Sequence, residues 1–231
     1  HTERPIAHMF RRRFLKAWAI GAATSRWLEG RRASAATAAD SRELSLCESV
    51  RDLGPQFLDN PLRITGQDGA TSCRLPSGDN LWFFGDTIEG PFQSIRDHDL
   101  TEVLSNTASI VPPQDYSQGI KQFSYLRSAK ARRARQVIEF DATENKARHR
   151  LWPIHSTCVN KSIYTYYHKI TMDPEQDVFE TFQLNGMGIA RATLGQYQFE
   201  RLIAPDGTKE FWKGDQPGFG VFIEKGPDGY L

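Results

Sequence analysis

Beyond about residue 45 the apolar residues of this 231-residue chain fall into short β-branched and aromatic runs, separated by clusters of Gly, Pro, Asp and Asn, with no sustained helical periodicity. That pattern restricts the chain to an all-β fold. The clearest unit is a run over 71–75, a turn cluster Pro76-Ser77-Gly78-Asp79-Asn80 and a second run over 81–85, which together read as a β-hairpin. The design returns over 156–159, Asn160-Lys161 and 162–167. A third copy begins over 219–223, turns through Gly226-Pro227-Asp228-Gly229 and reaches Tyr230 and Leu231. Further strand candidates lie over 109–111, 135–140, 188–192 and 197–203, so each repeat holds about four strands, as a propeller blade does.

The expected fold is therefore a β-propeller over 40–231, with about two blades and the start of a third, after a distinct region over 1–39. Because a propeller closes with roughly four to eight blades, the chain is expected to be part of a longer one, and an unclosed ring would leave strand edges open to aggregation. The competing architecture is a complete β-sandwich with irregular loops.

The first 39 residues carry an export pattern. Arg11-Arg12-Arg13-Phe14-Leu15-Lys16 resembles the twin-arginine signal, followed by a small, apolar stretch over 17–25. Ala33-Ser34-Ala35 and Ala36-Thr37-Ala38 each offer the small-x-small pattern of a signal peptidase site. The reading set against it is a basic amphipathic helix docked on a membrane surface or partner. No segment reaches the roughly 20 apolar residues of a membrane-spanning helix. The mature protein is expected to be periplasmic, cell-wall-associated or extracellular, with the twin-arginine export machinery as a partner.

Composition excludes little. A formal net charge of +1 gives no global field for nucleic acid. The basic stretch Arg127, Lys130, Arg132, Arg133 and Arg135 lacks the interleaved aromatic platform of a single-strand binder, so no nucleic-acid partner is expected. Cys47, Cys73 and Cys158 match no zinc spacing and cannot all pair; packed thiols are the first reading and a Cys73–Cys158 bridge the second. No P-loop, dinucleotide fingerprint or GxSxG elbow is present, and Asp173 and Asp177 do not match a calcium loop. Neither a cofactor nor a metal site is expected.

Two carboxylates stand out by position. Asp68, in Gly66-Gln67-Asp68-Gly69, precedes the first hairpin, and Asp86, in Phe84-Gly85-Asp86-Thr87, follows it; antiparallel pairing brings both to its open end. The flanking glycines let the backbone bend and a ligand approach closely. Paired carboxyls on a rigid rim suit glycoside hydrolysis, in which one protonates the leaving oxygen while the other attacks or activates water. A separation of about 5 Å favours retention of configuration and about 6.5–9.5 Å inversion. For each aspartate alone the competing reading is a turn residue bonding its own backbone. Trp82, Asn106 and His155 are the candidate sugar-binding residues, as a stacking face and two hydrogen-bonding groups; Trp152 and Trp212 are further stacking candidates, and all three tryptophans also suit packing between blades.

The run over 66–72, with Leu75-Pro76-Ser77-Gly78 and Leu81-Trp82-Phe83-Phe84-Gly85-Asp86-Thr87, resembles the opening blade of a family formerly of unknown function and now associated with endo-D-arabinanases. The resemblance runs from about Leu53 to the C-terminus, through Trp152-Pro153, the segment over 185–190 and Phe219-Gly220-Val221. It implies a five-bladed propeller, a polysaccharide substrate of the arabinan type and catalytic carboxyls at Asp68 and Asp86. The alternative function is a non-catalytic carbohydrate-binding or cell-surface interaction propeller, in which the same aspartates hold turns or an ion.

Overall fold

Two turns set the architecture, and each is made by a residue able to leave the usual backbone regions. The computed structural model describes residues 49–90, 102–129, 132–176, 181–218, 220–223, 225–226 and 229–230, so the export pattern, Cys47, Lys130, Asp177 and Phe219 lie outside it. In chain order the strands are β1 (Ile64–Gln67), β2 (Thr71–Arg74), β3 (Asn80–Phe84), β4 (Thr87–Glu89), β5 (Thr107–Val111), β6 (Ser124–Tyr125), β7 (His149–Val159), β8 (Ser162–Thr171), β9 (Gln183–Thr193), β10 (Glu200–Arg201), β11 (Trp212–Lys213), β12 (Lys225–Gly226) and β13 (Gly229–Tyr230). Between β2 and β3, Gly78 takes φ +91°, Leu75 N–H donates to the Asp79 carbonyl at 2.8 Å and Gly78 N–H to the Leu75 carbonyl at 2.9 Å. Between β7 and β8 the turn is Asn160-Lys161, with Asn160 at φ +55°, a conformation that asparagine tolerates better than most residues.

The described elements are strands in antiparallel ladders, apart from one 3-10 turn at Tyr116–Gln118. The chain is all-β over these residues. One sheet runs β2-β3-β5-β6 and another β7-β8-β9-β10, with β11 also on β9; β1 pairs with β4, and β12 with β13. Both main sheets are therefore built on four-strand meanders, each of those strands beside the one before it in its sheet, and the second sheet gains β11 as a fifth strand on β9.

Period-2 alternation gives each sheet two faces. Leu81 and Phe83 of β3, with Ala108 of β5, pack against Leu151 of β7, Ile163 and Tyr167 of β8 and Ala190 of β9 in the core the two sheets share. Cys73 and Cys158 belong to that same packing. The opposite face of β3 turns Trp82 and Phe84 into a second cluster with Leu62, Ile64 and Tyr125. Phe57 anchors it at φ +62°, a conformation costing an ordinary residue about 1–2 kcal/mol. Its ring lies edge-on to Trp82, Phe84 and Phe123 at centroid distances of 5.6, 5.1 and 5.0 Å, contacts that offset that cost.

An ionic cluster closes the edge of the second sheet. Arg201 meets Glu144 at 2.6 Å, Glu210 at 2.8 Å and the Tyr167 hydroxyl at 2.9 Å, while Lys169 reaches Glu144 at 2.6 Å. Burial pushes the Glu144 carboxyl up, but the hydrogen bonds from Arg201 and Lys169 prevail and bring it down to about 2.

Three segments depart from the sequence expectation. Residues 135–140, read as a strand, form none: Val137 and Ile138 donate their N–H groups to Asn106 Oδ1 at 2.9 and 2.8 Å, where a ladder partner would accept them. Of 197–203 only Glu200–Arg201 forms a strand, while Phe199 makes an isolated parallel bridge with Ile138; in the third hairpin the described pairing is Lys225↔Tyr230 and Gly226↔Gly229. Asn106 also donates through Nδ2 to the carbonyls of Ile138 at 3.1 Å and Leu151 at 2.9 Å, and it is fully buried. Asn106→Ala strips partners from buried backbone groups and is expected to cost about 3 kcal/mol, read as a lower urea midpoint at unchanged slope. A loss below about 0.5 kcal/mol would contradict this role.

Candidate functional site

The β1–β4 ladder ends at Gln67↔Thr87 and the β2–β3 ladder begins at Thr71↔Phe83 in the same register. One step beyond the first pair, or three before the second, Asp68 stands across from Asp86. The two strands part there, and main-chain groups rejoin them: Gly85 N–H donates to the Asp68 carbonyl at 2.9 Å, and Asp86 N–H donates to the Asp68 carboxylate. Gly85 has to be glycine for this. A Cβ there would lie 2.3 Å from Asp68 Oδ1 and 3.5 Å from Trp152 Cδ1.

Asp86 is 7% exposed, and its Oδ1 faces two groups of β7: Trp152 Nε1 donates to it at 3.1 Å and Arg150 Nε lies 3.1 Å away in an ion pair. Positions 150 and 152 share a strand face, so one element delivers both. Arg150 is wholly buried and donates through Nη1 to the carbonyls of His149, at 2.9 Å, and Lys146. Next to the pair a polar layer fixes the turn. Thr87 Oγ1 donates to the Gly85 carbonyl at 3.1 Å and lies 2.8 Å from Thr107 Oγ1. Gln67 Nε2 donates to Thr107 Oγ1 at 3.4 Å, and Tyr125 donates its hydroxyl proton to Gln67 Oε1 at 2.7 Å.

The two carboxyls occupy unlike environments. Burial, and then the charge of Asp86, raise Asp68 from 3.8 to about 7, against the lowering effects of the Asp86 N–H and Arg150. Asp68 nonetheless keeps an exposed outer surface, so its carboxyl is crowded by protein on one side and open to solvent on the other. Burial also raises Asp86, and it stays raised although Arg150 and Trp152 pull against it. The arrangement sets a carboxyl that can hold a proton near neutrality beside one held by a cation.

Of the sequence-predicted site residues the structure brings Asp68 and Asp86 together. Trp82 points away, into the Phe57 cluster, and the tryptophan beside the pair is Trp152. Asn106 has four hydrogen bonds to backbone and presents nothing to a ligand, which corrects its expected role. His155 lies at the β7 bulge, where its Nδ1 accepts the Ile223 N–H at 3.1 Å and its ring lies 5.3 Å from that of Phe222; burial lowers its pKa. Arg150 is the site residue that sequence reasoning missed. Its only local signal is a charge on the same strand face as Trp152, two positions before it, where the polar run Arg148-His149-Arg150 meets Leu151-Trp152. Among the described residues no group of three or more His, Cys, Asp or Glu is placed to hold a metal ion.

An all-β chain carrying a coupled carboxyl pair at the mouth of its first hairpin is the class that fold and site define. The chain belongs to the family described as a domain of unknown function, DUF5005, whose model matches residues 55–231. No curated protein matches. One similar solved structure is a Bacteroides ovatus ATCC 8483 protein provisionally named a hydrolase, with a TM-score of 0.46 and 14% identity over 72% of this chain and 45% of that one. The chain thus spans less than half the length of that protein.

The raised Asp68 carboxyl has a consequence for stability. Between 3.8 and about 7 the folded chain binds a proton there that the unfolded chain releases, so this group stabilises the fold at low pH and the contribution is lost as pH rises through about 7. Asp68→Asn is expected to match the wild type near pH 4 and to melt at a higher temperature above pH 7. A difference in melting temperature that stays constant with pH would contradict the placement of that proton.

Proposed function

We propose that this chain belongs to an exported glycoside hydrolase that cleaves a polysaccharide, an arabinan first among candidates, with its two four-stranded meanders serving as blades of a β-propeller. The observation that carries the reading is the pairing of Asp68 and Asp86 at one hairpin mouth with the Arg150 guanidinium in contact with Asp86, an asymmetry that lets one site hold an acid and a base at the same pH. Asp68 gives its proton to the glycosidic oxygen as the C–O bond breaks. Asp86, ionised against Arg150, either takes a proton from the attacking water or attacks the anomeric carbon and forms an ester that water then cleaves, with Asp68 as base. The half-buried indole of Trp152 forms one wall beside the pair, with Phe182 edge-on to it at 5.4 Å. Export by the twin-arginine route, supported by Arg11-Arg12-Arg13-Phe14-Leu15-Lys16, would deliver the folded protein to the periplasm, cell wall or medium, where such polymers lie.

One observation favours the second reading, a non-catalytic carbohydrate-binding or cell-surface propeller: Asp86 is 7% exposed and engaged by Arg150 and Trp152, as a structural carboxylate would be. The two readings separate on turnover. Release of reducing ends from arabinans and a wider glycan panel is expected to fall at least about 100-fold in Asp68→Asn and in Asp86→Asn, with both variants still folded. Glycan binding without turnover in the wild type would move the assignment to the binding module.

A further inference from the structure

We infer that Arg150 is the positioning residue that decides which carboxyl of the pair carries the proton, holding Asp86 as the carboxylate and leaving Asp68 as the acid. Its catalytic meaning rests on the hydrolase reading above, whereas the location of the proton does not.

The geometry forms a relay of three contacts. Arg150 is wholly buried, and a buried guanidinium requires a counter-charge and satisfied donors. Its Nη1 is spent on the main-chain carbonyls of Lys146 and His149, which hold the group with Nε 3.1 Å from Asp86 Oδ1. Trp152 Nε1 donates to the same oxygen at 3.1 Å, so Asp86 Oδ1 meets a cation and a hydrogen-bond donor of one strand. The backbone N–H of Asp86 then turns onto the Asp68 carboxylate.

The other groups near the pair do not compete for this role. Trp152 is a neutral donor. His168, across from Trp152 in the β7–β8 register, is driven toward its neutral form by burial, and Lys169 is engaged with Glu144 and Glu210. Among the described residues, the charged groups shown to act on Asp68 are Asp86 and Arg150, and the one shown to act on Asp86 is Arg150. The charge of Asp86 opposes ionisation of Asp68 more strongly than Arg150 favours it, so a change that neutralises both leaves Asp68 easier to ionise.

The test is a side-chain carboxyl 13C titration of the full chain labelled at aspartate, on the wild type, Arg150→Gln and Arg150→Lys. In the wild type Asp86 should ionise first and Asp68 last. In Arg150→Gln the Asp86 midpoint should rise by about one pH unit or more and that of Asp68 should fall, reversing the order, whereas Arg150→Lys should keep it. An unchanged order in a natively folded Arg150→Gln variant overturns the inference. Should that variant not fold, the neutral double variant Arg150→Met with Asp86→Asn replaces it: a lowered Asp68 midpoint supports the relay, and an unmoved one overturns it. On a cleaved glycan, Arg150→Gln should shift the acidic limb of kcat/KM upward by about one pH unit and lower kcat at least about tenfold, with rescue by Arg150→Lys. Lost activity with the limb in place would mark a merely structural role and overturn the inference. A chain inert on every glycan whose titration order still reverses would remove the hydrolase reading and uphold the Arg150 assignment.

Discussion

The ion pair between Arg150 and Asp86 crosses from the second sheet to the mouth of the first hairpin, and the site depends on it. Burying a guanidinium and a carboxylate together costs several kcal/mol of hydration, which their attraction repays only when the geometry is good and the remaining donors are satisfied. Part of that is visible here: main-chain carbonyls take the Nη1 protons, and an indole shares the carboxylate oxygen. A pair of this kind does more to specify an arrangement than to stabilise a fold. A shift of β7 along the first sheet would leave a charge stranded in the interior, so the pair fixes how the two meanders align at the point where the aspartates meet.

Much of this architecture is legible in the sequence, for a physical reason. The hairpins announce themselves because alternation and turn chemistry are local properties: Gly78 and Asn160 sit where the backbone has to turn back, with alternating runs on either side. The meeting of Asp68 and Asp86 was readable for the same reason, since register in a hairpin follows from counting residues outward from its turn. Pairings that depend on distant parts of the chain were not. The run over 135–140 has strand-like composition, yet the N–H groups of Val137 and Ile138 are taken by the side chain of Asn106, and nothing in the local pattern shows that an amide will stand in for a neighbouring strand. Asn106 itself looked like a ligand-binding residue because polarity alone does not reveal how many partners are already in place.

The tryptophans make the same point. Trp82 is nearer to Asp86 in sequence and lies on the strand that leads to it, but the pleat turns it toward Phe57, on the face opposite the shared core. Trp152 is separated from Asp86 by 66 positions and touches it. Proximity in a β protein is set by which face a side chain takes and which sheet lies across from it, and the second of these is global. Arg150 escaped notice for that reason: a buried arginine is explained by a partner that no local window contains.

The clasp at Gly85 bears on how motion passes through the molecule. Two consecutive N–H groups, from Gly85 and Asp86, fasten to the main chain and side chain of a single residue, and the side chain of Asp86 is fastened in turn to β7. The three parts behave as a jointed linkage with little play. Whatever presses on the exposed rim at Asp68 is felt by the second sheet, and a tilt of that sheet would in turn re-aim the rim, so the mouth of the first hairpin also serves as a gauge of how the two sheets are seated.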